Sequence, residues 1–356
     1  MFFSLVATLA YADPTPPPII NGESADEDDF PMTGGLVLSG HFDFGRQGEY
    51  DATMLICSST LIAPDVVLAA AHCLDPEVMT YGMGEITDMD FRWSRQADLT
   101  RWDGSSSVKT FPDDAAKAWD WEFHEDFDIN GLGYGLTENF DIGIVFLEEP
   151  ILDVTPAVLV TEEEGAQIVE GAEVDIVGWG QQEATDMWEQ PEPGTYAVKM
   201  QARTVIGEVG EAEFQVGPKR NDGRKCHGDS GGPTFMTVES DSTEAMRQIG
   251  VTSHAYDSTD CDSKGGVDTR LDHYLAWIDA QMRSRCEDGS RAWCDEAGIL
   301  PAPLPGDDEG DDNGDDVAGD DDEIGLQPGG CSTASGSATV GAAAIAVGAL
   351  LLRRRR

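Results

Sequence analysis

Short apolar runs recur along most of the chain, each about the length of a strand and each bounded by glycine, proline or aspartate. Leu36-Val37-Leu38, Thr60-Leu61-Ile62, Val66-Val67-Leu68 and Val174-Asp175-Ile176-Val177 are examples. The pattern predicts an all-β domain, a sandwich or a barrel, with no internal repeat. Further on, Leu271, Tyr274, Leu275, Ile278 and Met282 fall at helical spacing, with Asp272 as the expected N-cap, so a helix is predicted over 271–285.

The two ends of the chain follow other rules. Met1–Ala12 is apolar and ends in Ala10-Tyr11-Ala12, the small-residue pattern of a secretory cleavage site, although no basic residue precedes it. Asp13–Pro18 is a proline-rich spacer too stiff and polar for a core. After Cys294 the composition shifts to Pro, Gly and a long run of acids through 330, which cannot bury a core and reads as an extended, self-repelling tether. The ordered ligand spacing that calcium needs is not evident there, so no metal and no cofactor is expected. Gly336–Leu352 is apolar and at the short limit for crossing a bilayer; Arg353–Arg356 would hold its end on the cytoplasmic side.

Charge narrows the partners. The 356 residues carry 68 acidic and 22 basic side chains, a formal net charge of −46. Such a polyanion would repel nucleic acid, so no nucleic-acid partner is expected. The excess reads as a solvated acidic surface suited to a salty medium, with a preference for cationic partners as the alternative. The 7 cysteines point to an oxidising compartment. Cys286 and Cys294 form a candidate pair on proximity alone, and Cys331 is left over.

Three segments carry candidate chemistry. Cys226-His227-Gly228-Asp229-Ser230-Gly231-Gly232-Pro233 sets a serine hydroxyl in a glycine turn where a carbonyl can approach the backbone amides. Ala69-Ala70-Ala71-His72-Cys73 supplies a base, and Asp141, opening the apolar run to Leu147, supplies a carboxylate. The order His72, Asp141, Ser230 is one of the chain orders of the serine–histidine–aspartate constellation. Together the segments resemble the chymotrypsin/trypsin family of serine proteases. The resemblance covers roughly 19–285, including Ser58–Pro64 running into His72, the turn Val177-Gly178-Trp179-Gly180 and the terminal helix.

That resemblance implies two six-stranded antiparallel β-barrels closed by a C-terminal helix, with His72 and Asp141 on the first barrel and Ser230 on the second. It implies disulfides Cys57–Cys73 and Cys226–Cys261. It implies catalysis by Ser230 as nucleophile, His72 as general acid and base and Asp141 as its orienter, with an oxyanion hole from the amides of Gly228 and Ser230. Ile19 would open the mature chain, its freed amine pairing with Asp229. The bond before it departs from the family pattern, because Pro18 stands where a basic residue is usual and no Lys or Arg precedes Ile19. The activating protease is therefore expected to be unlike trypsin.

In the specificity pocket, the residue six before the nucleophile is Arg224, followed by Lys225. Ser253, His254 and Ala255 would border the substrate, Gly266 would keep the pocket open, and Asp268 would lie near the floor. If Asp268 pairs with Arg224, an apolar or mixed preference follows; if not, Glu or Asp is expected. Cleavage after Lys or Arg is not expected in either case. The connection between His72 and Asp141 looks longer than is usual for the family and is rich in Trp and Asp (Trp93, Trp102, Trp119, Trp121, Asp113, Asp114); its excess length is read as one or more surface loop insertions near the cleft, and His124 as non-catalytic.

The C-terminal unit of Cys331, apolar run and arginine cluster resembles the sorting signals of bacterial surface proteins, in particular the myxobacterial type. It implies processing near Cys331 and a membrane association at the cell surface. The domain order expected is thus a signal peptide at 1–12, a spacer at 13–18, a protease domain at 19–285, a cysteine pair and tether at 286–330, and an anchor at 331–356. The function expected is an exported, monomeric serine endopeptidase acting on protein or peptide substrates. The alternative is a catalytically inactive protease-fold binding protein. An esterase or lipase is disfavoured, because its Gly-x-Ser-x-Gly turn needs alternating strands and helices that this pattern lacks.

Overall fold

The computed structural model describes residues 18–105, 108–183, 191–240, 242–257, 261 and 264–294. The segments expected as signal peptide and anchor, including Cys331, nearly all of the expected spacer and most of the expected tether lie outside the described residues. Among the described residues no helix is long and apolar enough to cross a membrane.

Two closed antiparallel barrels account for the predicted strands. The first contains β2 (Thr33–Asp43), β3 (Glu49–Ala63), β4 (Val66–Ala69), β5 (Glu85–Ser94), β6 (Ala116–Phe123) and β7 (Gly143–Leu147), in the spatial order β2-β3-β4-β7-β6-β5. The second contains β8 (Glu173–Gly178), β9 (Met200–Val209), β10 (Glu213–Val216), β11 (Pro233–Ser240), β12 (Thr243–Ala255) and β13 (Gly266–Arg270). Its order is β9-β10-β13-β12-β11-β8, closed by pairing of β8 with β9, and a two-residue β1 (Glu23–Ser24) lies on β9. Closure removes the sheet edges that would otherwise template aggregation.

The continuous apolar run Val66–Ala69 is buried at every position because β4 sits between β3 and β7 with its outer face covered by the rest of the domain. Helix Leu271–Glu287 follows β13 directly and buries Leu271, Tyr274, Leu275, Ile278 and Met282, the residues its periodicity singles out. Its start differs from the expectation. Arg270 occupies the N-cap without a side-chain cap, and Asp272 lies in the first turn, where its carboxylate is held by the Arg270 guanidinium at 2.5 and 3.0 Å.

In the tryptophan-rich connection, Trp93 lies in β5 and Trp119 and Trp121 belong to β6, so these three stand in the barrel wall. Between those strands, Leu99 and Trp102 are buried with Trp179 and Ala197 in a small apolar cluster. The loop is stitched to the second barrel by Leu99 N–H donating to Ala197 O (2.8 Å), Lys199 N–H to Ala97 O (2.7 Å) and Trp179 Nε1–H to Gln96 O (3.0 Å). A surface insertion would have left these indoles wet; burying them against the neighbouring barrel is the favourable outcome.

All three expected disulfides are formed: Cys57–Cys73, Cys226–Cys261 and Cys286–Cys294. The last closes a loop that returns to the first barrel, where the Arg291 guanidinium grips Asp65 at 2.7 and 2.9 Å.

Candidate active site

His72 lies on a short 3-10 turn, Ala71–Cys73, just beyond β4, and the Cys57–Cys73 disulfide ties that turn to β3. Asp141 stands two residues before β7, the strand that pairs with β4, so register alone brings the two side chains together. Asp141 is wholly buried. One carboxylate oxygen accepts from the His72 backbone N–H (3.0 Å) and the other from His72 Nδ1 (2.7 Å). The Ser253 hydroxyl on β12 donates to that second oxygen at 2.5 Å, and Thr269 Oγ1 donates to the Asp141 carbonyl at 2.9 Å. Burial alone would raise the Asp141 carboxyl, but the His72 imidazole and these donors outweigh it and hold the pKa below its ordinary value. The carboxylate is thus kept charged where it can orient the ring and leave the proton on Nδ1.

Ser230 sits in the turn that enters β11. Its carbonyl accepts from Ser58 N–H (2.9 Å), and Gly231 N–H donates to Thr252 O (2.8 Å), so the turn is pinned to both barrels. Ser58 Oγ adds a second pin, donating to Gly228 O (2.9 Å) while accepting from Trp179 N–H (2.9 Å). Gly228 has φ of 95°, and a Cβ there would stand 2.5 Å from the Tyr196 ring, so no other residue fits this corner. The His72 ring is 2% exposed, and its Nε2 makes no hydrogen bond in this structure, so the expected contact with Ser230 is not formed. Such contacts are often long before substrate binds and tighten in the complex.

Ile19 is buried and Ile20 O accepts from Arg224 N–H (2.9 Å), so the segment after Pro18 is already docked. Ile19 holds φ of 35°, a left-handed value that a β-branched residue tolerates poorly. In the intact chain the Ile19 nitrogen is an amide. Asp229 instead accepts from Gly180 N–H (2.8 Å) and Cys226 N–H (2.9 Å), and burial pushes its carboxyl up to about 6.

Of the two arrangements left open for the pocket beside Ser230, the structure has the one in which Arg224 does not pair with Asp268. Its guanidinium donates to Cys261 O at 2.7 Å, while Lys225 Nζ lies 2.7 Å from the Asp268 carboxylate. The cause is the alternation of an extended segment: the bridge from Arg224 to Ile20 fixes the strand face, and neighbouring side chains point opposite ways. Ser253, His254, Ala255 and Gly266 line the cavity beside Ser230.

Several supporting residues carried no signal in the sequence. Ser58 is one, because a serine in a strand is unremarkable until its partners are known. Glu213 is another: buried at 1% exposure, it accepts from Thr137 N–H (2.7 Å) and Asn139 Nδ2 (2.8 Å) and so braces the loop before Asp141. His254, singled out in the sequence only as a pocket residue, links Ser253 Oγ (3.0 Å from Nδ1) to the Gly135 carbonyl (3.1 Å from Nε2). His124, read as non-catalytic, packs between Phe140 and Trp277. Two clusters of Cys and His have the spacing of metal ligands, Cys57-His72-Cys73 and Cys226-His227-Cys261. Their sulfurs are joined in disulfides, so they offer no thiolate.

Two closed barrels carrying a histidine–aspartate pair on one and a Gly-Asp-Ser-Gly turn on the other define a protein of the serine-protease class. The family profile described as trypsin matches residues 19–278, and the chain belongs to that family. It is also similar to human Kallikrein-11, with 25% identity over 260 residues, covering 70% of this chain and 80% of the relative.

Proposed function

We propose that the chain is an exported serine endopeptidase that cleaves peptide bonds through an acyl-enzyme on Ser230. The observation that carries this reading is the buried Asp141 carboxylate bound to His72 Nδ1 at 2.7 Å, which leaves Nε2 as the ring's basic nitrogen. His72 Nε2 takes the Ser230 hydroxyl proton as Oγ attacks the substrate carbonyl, and the imidazolium is stabilised by Asp141. The amides of Gly228 and Ser230 receive the oxyanion. His72 then returns the proton to the leaving amine, and water repeats the sequence in reverse to release the acid.

The mature chain begins at Ile19 in this account. Cutting the Pro18–Ile19 bond relieves the strained Ile19 backbone and creates an ammonium that meets Asp229. The cut requires an activating protease other than trypsin, since Pro18 precedes the bond. Three disulfides agree with an oxidising compartment, reached through Met1–Ala12 as signal peptide. Residues 286–330 then tether a monomeric catalytic domain, and 331–356, processed near Cys331, place it at the cell surface.

A p-nitrophenyl ester assay tests the chemistry. The chain processed to Ile19 should release a burst of p-nitrophenol equal to the enzyme concentration, and Ser230→Ala should release none. Absence of a burst and of peptide hydrolysis by the processed, folded chain would leave a binding protein instead.

A further inference from the structure

A cavity of about 60 Å³ opens beside Ser230, with Lys225, Cys226, His254, Ala255 and Gly266 among its lining residues. An acyl group on Ser230 Oγ has its side chain at the mouth of this cavity, so the cavity wall selects the residue preceding the scissile bond. We propose that the Lys225–Asp268 pair restricts that residue to an uncharged side chain. The inference rests on the protease reading above and names its substrate class.

The cavity wall has no charge left over from this pair. Lys225 Nζ is 2.7 Å from Asp268 Oδ2 and 2.7 Å from Thr234 Oγ1, and Thr234 donates to the same carboxylate oxygen at 2.6 Å. The side chains of Lys225 and Asp268 are 2% and 0% exposed, so solvent does not screen them. A substrate Lys or Arg would set a second cation against Lys225. A substrate Glu or Asp would lose its water and meet a lysine already neutralised by Asp268. Both arrangements desolvate a charge without a counter-ion. Arg224 supplies none, since it is not among the residues that line the cavity.

Gly266 keeps the cavity open, because a Cβ there would meet only His254 O at 3.5 Å and Lys225 Cβ at 4.0 Å, reaching into the space itself.

The test uses the processed enzyme, with active sites counted by a fluorophosphonate label and kcat/KM expressed per labelled site. Tetrapeptide amides differing only in the last residue should rank Ala, Val and Leu above Lys and Glu by roughly 100-fold. Lys225→Ser uncovers Asp268 and should raise cleavage after Lys at least ~10-fold, whereas Asp268→Ser uncovers Lys225 and should raise cleavage after Glu by a similar factor. Should either variant fail to fold, the double variant Lys225→Met with Asp268→Leu leaves no orphaned charge and should keep the wild-type order. Efficient wild-type cleavage after Lys, Arg, Asp or Glu, or a changed order in the double variant, overturns the inference while the label upholds the protease reading. Loss of labelling in the processed wild type overturns both.

Discussion

Arg291 and Asp65 form a buried ion pair between residues 226 positions apart, and removing one member should be among the costliest single changes outside the core. The side chains are 2% and 1% exposed and meet through two parallel hydrogen bonds, Nη2 to Oδ1 at 2.7 Å and Nε to Oδ2 at 2.9 Å. Arg291→Ala strands the Asp65 carboxylate in the interior, a change that typically costs about 3–5 kcal/mol. A neighbouring cavity of about 230 Å³, bordered by Asp65, Trp119 and Trp293, would let water reach the stranded oxygen atoms. The lower end, about 3 kcal/mol, is therefore expected. The Cys286–Cys294 disulfide still closes the loop in this variant, so the loss reflects the ion pair and not a released chain end. Urea unfolding followed by tryptophan fluorescence should show a midpoint lowered by about 1 M or more, given typical slopes. The double change Arg291→Met with Asp65→Leu should recover most of the loss, because no charge is stranded. A single variant within ~0.5 kcal/mol of wild type, or a double variant as unstable as the single, would refute the reasoning.

Other expectations follow from the same geometry. Gly228→Ala should lower kcat/KM at least ~100-fold, since the new Cβ strikes the Tyr196 ring and displaces an oxyanion-hole amide; unchanged ester hydrolysis would count against the hole as described. Glu213 is pushed from 4.5 to about 7 by burial, against the pull of its two N–H donors. Its folded form thus holds a proton that the unfolded form has released between those values, so stability should fall by about 3 kcal/mol as pH rises across that window. Glu213→Gln should flatten that slope in urea melts, and an unaltered slope would assign the dependence to other groups. A chain that retains Asp13 should be nearly inactive, with activity appearing as Ile19 is freed; mass spectrometry of fully active material still carrying Asp13 would contradict this.

What the sequence made legible was mostly local. The runs around Leu36, Val66 and Val174 became strands because their short apolar blocks have no other way to be buried, and Leu271–Met282 became the terminal helix for the same reason. The His72, Asp141 and Ser230 segments were identifiable because each carries its own short signature. Placement at single-residue resolution was not legible. Arg224 and Lys225 are adjacent cations, and only the bridge to Ile20 decides which of them faces Asp268. The placement of the tryptophans between His72 and Asp141 was not legible either, because nothing local reveals that Trp102 will share a buried cluster with Trp179. Ser58 and Glu213 were invisible for a related reason: their partners lie far away in the chain, and polar residues in strands announce nothing until those partners are in place.

The central claim is that Ser230 is an activated nucleophile. The most direct measurement is peptide mapping after a fluorophosphonate probe has been applied to the folded chain processed to Ile19. One adduct per molecule is predicted, on Ser230, and it should disappear in His72→Ala while the fold persists. A processed, folded chain that takes no label, or takes it on a different residue, would contradict the account.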